Sequence, residues 1–122
     1  MPPLTGVLET ALYVADLERA SAFYQRLLGA RVLLAEADRM RALDVAGRQV
    51  LLLFRMGASC GRMHVCFAIP ADALAAWEAH LATLGVHAAL DRDAERGATC
   101  LYLRDPDGHL VELATPGLWE IY

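Results

Sequence analysis

The sequence contains no lysine and no asparagine, and only two serines, Ser21 and Ser59, in its 122 residues. Without lysine there is no Schiff-base nucleophile, no P-loop lysine and no kinase-type lysine. Without asparagine there is no N-glycosylation sequon. Positive charge is scarce too: eleven arginines against fifteen acids leave a net charge of −4. That is the wrong sign for a chain that must neutralise phosphates, so nucleic acid is excluded as a partner. No uncharged apolar run approaches the roughly 20 residues of a membrane span, so no membrane partner is expected. The start, Met1-Pro-Pro-Leu-Thr-Gly6, has neither the basic end nor the apolar run of a signal peptide. Three cysteines, Cys60, Cys66 and Cys100, are an odd number in no disulfide-framework spacing, and read as reduced thiols. A cytoplasmic location is the expectation.

What is present is a core-former. Hydrophobic residues make up 57% and charged residues 21%, which suits a single domain over residues 1–122. Val7–Val14 is β-rich, and Asp16 then suits a helix N-cap. Leu17, Ala20, Tyr24 and Leu27 follow at helical spacing, with Gly29 closing the helix. Strand-like runs follow at Arg31–Ala35, Met40–Val45 and Val50–Phe54, the last two joined across Ala46-Gly47. The order then repeats. Met63–Ile69 is a strand, Asp72 can cap a helix striped by Leu74, Trp77, Leu81 and Leu84, and Gly85 closes it. Val86–Leu90, Ala98–Arg104 and Leu110–Ala114 complete the second set. Residue 9 matches 64 and Gly29 matches Gly85, offsets of 55 and 56. Residues 55–62 make the linker.

The expected fold is therefore α+β: two tandem βαβββ units, about 7–54 and 63–114, forming an open cupped sheet with helices on the convex side. One such unit buries only one sheet face against its helix. Two units, or two chains, must meet around a groove, so a homodimer is expected.

Alternation decides which polar side chains face that groove. In the first strand Glu9, Ala11 and Tyr13 share one face, and in the fifth His64, Cys66 and Ala68 do. Singly, Glu9 and His64 also fit charges at a strand end. A plain four-residue loop at Asp105–Gly108 would place Glu112 opposite Leu101. A left-handed Gly108 with a bulge places it opposite Tyr102 instead. The bulge is favoured, because it sends Leu101, Leu103, Val111 and Leu113 to the helix side and Cys100, Tyr102, Arg104 and Glu112 to the groove. A carboxylate between Val111 and Leu113 is costly unless paired with a cation. Glu9, His64 and Glu112 then form one imidazole and two carboxylates, a facial set that suits Mn(II), Fe(II), Ni(II), Zn(II) or Mg(II).

The stretches LETALYVADLERASAFYQRLLG (8–29), MHVCFAIPADAL (63–74) and LYLRDPDGHLVEL (101–113) resemble the vicinal oxygen chelate superfamily. That superfamily includes glyoxalase I, extradiol dioxygenases, fosfomycin-resistance enzymes and bleomycin-resistance proteins. The resemblance implies metal ligands at Glu9, His64 and Glu112, with Glu9 standing where His is common. It implies a small substrate whose vicinal oxygens take the open metal positions, the metal acting as a Lewis acid. A ligand carboxylate such as Glu112, or Tyr13 or Tyr102, would move the proton. Cys66, Cys100, Arg104 and Trp119 would line the substrate groove.

Two members fit less well. Glyoxalase I has a fourth ligand on the fourth strand, where counting from Gly47 lands on Leu51 in an apolar run. Fosfomycin-resistance enzymes contact substrate at the position of Tyr102, but they also use a lysine that this chain lacks. A metal-dependent enzyme other than glyoxalase I is expected. The alternative is a metal-independent protein that sequesters a ligand in the manner of bleomycin-resistance proteins.

Other motifs carry less. Gly57-Ala-Ser-Cys-Gly61 fits a nucleophile elbow, but a strand follows it where such an elbow needs a helix, and the chain is too short for the large parallel sheet of that fold. Cys60, His64 and Cys66 lack zinc-site spacing. Trp77 is expected in the core, and His80, His87 and His109 at the surface. Asp91–Arg96 reads as a solvated loop. Trp119 and Tyr122 in the tail are free to cover a groove or a dimer seam.

Overall fold

A computed structural model describes residues 1, 3, 7–56, 61–92 and 97–122. Residues 57–60, which carry most of the G-x-S-x-G match and Cys60, lie outside the described residues, as do 93–96 of the charged loop. The chain divides into two compact units, Met1–Gly61 and Arg62–Tyr122, with the boundary in the expected linker.

The first unit runs β1 (Glu9–Val14), α1 (Leu17–Leu28), β2 (Arg31–Glu36), β3 (Met40–Val45) and β4 (Gln49–Arg55). Its sheet has the order β1-β4-β3-β2, with β1 parallel to β4 and the other pairs antiparallel. The second unit runs β5 (His64–Ala68), a 3₁₀ turn (Ala71–Ala73), α2 (Leu74–Thr83), β6 (Ala89–Asp91), β7 (Cys100–Arg104) and β8 (Leu110–Ala114). Its sheet repeats the pattern as β5-β8-β7-β6, with β5 parallel to β8. The fold is thus α+β, made of two βαβββ units as expected.

Alpha-1 forms where its residues favour it. Asp16 stands in extended geometry and its side chain accepts from the Arg19 N–H at 2.9 Å, while Gly29 takes the left-handed conformation that ends the helix. Leu17, Ala20, Phe23, Tyr24 and Leu27 are buried. They pack with Leu12, Val14, Leu43, Leu51 and Leu53, which share one face of the first sheet. Arg41 on that same face pairs with Glu18 of α1.

Alpha-2 departs from expectation. Asp72 does not cap it: Asp72 falls inside the 3₁₀ turn, Ala73 stands at the N-cap, and no side chain bonds the helix start. Among its residues only Leu81 is buried. Trp77 is half-buried rather than in the core, its ring 5.7 Å from that of His80 in an edge-on contact. The core of the second unit lies instead mostly in β7 and β8, at Leu101, Leu103, Val111 and Leu113, with Ile69 just after β5.

Candidate functional site

The β7–β8 connection sets the chemistry of the second sheet. The Asp105 carboxylate accepts from the N–H groups of Asp107 and His109, both at 2.9 Å. Gly108 has φ +81°, and its N–H bonds the Asp105 carbonyl at 3.0 Å. Five residues therefore separate Arg104 from Leu110, which are paired, and Tyr102 comes opposite Glu112. This is the bulged register that the apolar pattern favoured.

His109 anchors the neighbouring strand. It is 1% exposed, which corrects the surface reading. Its Nδ1 accepts from the Met63 N–H at 2.9 Å, and the next residue, Leu110, donates its N–H to the Met63 carbonyl at 2.9 Å. The start of β5 is thereby held against the start of β8. His64 Nε2 then lies 3.0 Å from Glu112 Oε2. Glu112 is 4% exposed, whereas the His64 side chain is half exposed. A buried carboxylate meets an imidazole open to solvent.

Register places Cys66 on one side of Glu112 and Tyr102 on the other. Burial, with the Glu112 charge beside it, pushes the Cys66 thiol up to about 12. Burial and a hydrogen bond with Glu112 push the Cys100 thiol up to about 11. Burial likewise raises the Tyr102 phenol above its usual range, helped by its hydrogen bond with Cys100 and the Glu112 charge. All three groups stay protonated at neutral pH and offer hydrogen-bond donors around one carboxylate.

The remaining residues singled out from sequence are distributed as follows. Glu9 is exposed on β1 of the first unit. Tyr13 lies on the same face of β1, exposed, with its ring 6.3 Å from that of Phe54. Arg104 is exposed on β7 and donates to the Gly108 carbonyl at 3.3 Å. Trp119 is exposed in the tail, where the Tyr122 hydroxyl donates to the Ile69 carbonyl at 3.0 Å. Among the described residues no three or more His, Cys, Asp or Glu side chains are gathered closely enough to hold a metal ion. His64 and Glu112 are the donor pair brought together within the second unit.

The first unit's counterpart is apolar. Matching Cys66↔Glu112 and Tyr102↔Glu112 to the first sheet gives Ala11↔Leu52 and Ala42↔Leu52. Leu52, not Leu51, is therefore the counterpart of Glu112. The count from Gly47 misses by one because Gly47 stands one place earlier in its connection than Gly108 does, although the two connections are equally long, and Leu51 is a buried residue of the opposite face.

One further feature has no counterpart in the sequence pattern, a cavity of about 330 Å³ at the start of α1. Asp16, Glu18, Asp38, Arg41 and Arg55 line it. Its two arginines are already matched, Arg41 with Glu18 and Arg55 with Asp38 at 2.8 Å, and Asp16 is taken up in capping α1.

The comparisons with known proteins agree with one another. The metallothiol transferase FosB of Bacillus licheniformis is 28% identical over 125 residues, covering 96% of this chain and 79% of that protein. The crystal structure of lactoylglutathione lyase from Agrobacterium tumefaciens is 28% identical, with a TM-score of 0.85 over 98% of this chain and 99% of that one. The fosfomycin resistance protein FosX from Listeria monocytogenes, at 24% identity, shares the fold, with a TM-score of 0.78 over 95% of this chain and 94% of that one. The model of the Glyoxalase/Bleomycin resistance protein/Dioxygenase superfamily matches residues 6–113. With the paired βαβββ units, that match makes the chain a member of this superfamily, the vicinal oxygen chelate proteins.

Proposed function

We propose that this protein is a small metal-dependent enzyme of the cytoplasm, acting as a homodimer on an oxygen-rich small molecule. His64 and Glu112 hold a divalent ion, with Glu9 as third donor. One observation carries the reading: the buried Glu112 carboxylate, 3.0 Å from an imidazole that is open to solvent. Burial of a carboxylate is unfavourable unless a cation or strong donors compensate, and a nitrogen–oxygen pair fits Mn(II), Fe(II), Ni(II), Zn(II) or Mg(II). Bound there, the ion supplies Lewis acidity toward a substrate oxygen.

The protein's own groups account for the rest. Cys66 and Tyr102, flanking Glu112, donate to it and fix its orientation. Tyr102, kept protonated, is the proton donor toward a substrate oxygen, and Tyr13 is the second candidate. Arg104 offers its guanidinium to an anionic substituent, and Cys100 and Trp119 complete the groove. The relatives include a metallothiol transferase and a lactoylglutathione lyase, which favours an enzyme over a sequestering protein. Leu52 supplies no fourth donor, which argues for a three-donor site and against lactoylglutathione lyase activity.

Protein purified without chelator or nickel resin should carry stoichiometric divalent metal by elemental analysis. His64→Ala and Glu112→Ala should each lose it. Wild type without metal, whose melting temperature does not move on addition of Mn(II), Ni(II) or Zn(II), would overturn the reading. If such protein still took up a small ligand, it would be a sequestering protein.

A further inference from the structure

The imidazole of the proposed metal site belongs to the first residue of an outer strand. Strand β5 begins at His64 and pairs only with β8, so its start is held from one side. His64 itself makes no backbone bond across that seam. It is paired with Leu110 in a parallel ladder, and the Leu110 N–H goes to the Met63 carbonyl at 2.9 Å, so the N–H and C=O of His64 point away from β8. Where the imidazole stands therefore depends on how firmly Met63 is fixed, because a strand frays first at its ends.

The first unit supplies a comparison. Setting Glu112 against Leu52 puts Leu110 against Val50, Met63 against Leu8 and His109 against Gln49. The backbone bond recurs there, the Val50 N–H reaching the Leu8 carbonyl at 2.8 Å. The side-chain bond does not: Gln49 is exposed, and among the described residues it makes no bond to Leu8. His109 is buried instead, and its Nδ1 accepts the Met63 N–H at 2.9 Å, a second bond on the same residue. Its own N–H goes to the Asp105 carboxylate at 2.9 Å, which holds the ring in that pose. Nδ1 accepts only while it bears no proton, so the neutral ring carries its hydrogen on Nε2. The half with the buried carboxylate and its imidazole thus has a fastening that the other half lacks.

We propose that His109 is a positioning residue for the metal site: it fixes Met63, and through Met63 it sets the His64 imidazole against Glu112. The inference rests on the metal reading of His64 and Glu112. Nuclear magnetic resonance of the metal-free wild type tests the bond directly. Long-range proton–nitrogen correlation should find His109 with a bare Nδ1, and the Met63 amide should exchange slowly in heavy water. A proton on Nδ1, or fast exchange at Met63, overturns the proposal whichever variants fold. Calorimetric titration with Mn(II), Ni(II) and Zn(II) tests the consequence. His109→Leu fills the space but accepts nothing, and should weaken binding by about 10–100-fold. His109→Asn, whose Oδ1 stands where Nδ1 did, should bind close to wild type; a general loss of packing would not be rescued in this way. If wild type and His109→Leu bind alike, or His109→Asn loses as much as His109→Leu, the positioning role falls and the metal site stands. If wild type binds none of the three ions, the metal reading falls and the role of His109 with it.

Discussion

Cys66 is exposed on its strand yet lies beside the Glu112 carboxylate. Partial burial first, and then the Glu112 charge, push its thiol up to about 12 from an ordinary 9.0, so at pH 8 it carries far less thiolate than a free cysteine. In metal-free protein, iodoacetamide should therefore label Cys66 far more slowly than a cysteine peptide, as followed by peptide mass mapping. Glu112→Gln removes the charge and leaves the burial, so labelling should accelerate without reaching the free rate. Labelling of wild-type Cys66 at the peptide rate would rule out this environment. The raised pKa favours the folded state fully below pH 9, and that contribution is lost as pH rises toward 12. Glu112 was legible in the sequence because Val111 and Leu113 fix its face and Gly108 fixes its register. His109 was not. Its burial rests on a bond to Met63, 46 positions away, and a turn histidine carries no local mark of such a partner.

The two helices show why one element was readable to the residue and the other was not. Asp16 begins α1 in extended geometry and bonds the Arg19 N–H. Asp72 occupies the matching place in the repeat, but the chain first makes a 3₁₀ turn over Ala71–Ala73, which leaves Asp72 one residue short of the N-cap position that Ala73 takes. A cap pattern specifies residue types, while the turn after Pro70 decides whether the backbone presents them. Asp16→Ala should therefore cost about 1 kcal/mol in urea denaturation. Asp72→Ala should change stability by less than about 0.5 kcal/mol. Equal losses from the two substitutions would contradict this account. Strand limits were legible to within a residue or two where apolar alternation is strong, as in Met40–Val45 and Leu110–Ala114. They were poorest for Ala89–Asp91, whose three residues carry too little pattern.

At the scale of the whole molecule, repetition was legible and its purpose only half so. The offset between residues 9 and 64 gave the duplication, and the chain does divide at Gly61. What the repeat does not show is that the halves have diverged in chemistry. The row Cys66, Glu112 and Tyr102 is matched by Ala11, Leu52 and Ala42, so the buried carboxylate and its donors belong to one half alone. The first half carries Glu9 at the start of β1. The bulge in β2 leaves no sequence signature, because neither glycine nor proline marks Leu33. Dimerisation ties stability to concentration. If two chains form the proposed homodimer, unfolding also dissociates them, and each tenfold rise in protein concentration adds about 1.4 kcal/mol per dimer, or half that per chain. For a chain of this length, that raises the melting temperature by about 2–4 °C per decade. Calorimetry over two decades of concentration should show this slope, and a melting temperature independent of concentration would overturn the homodimer reading.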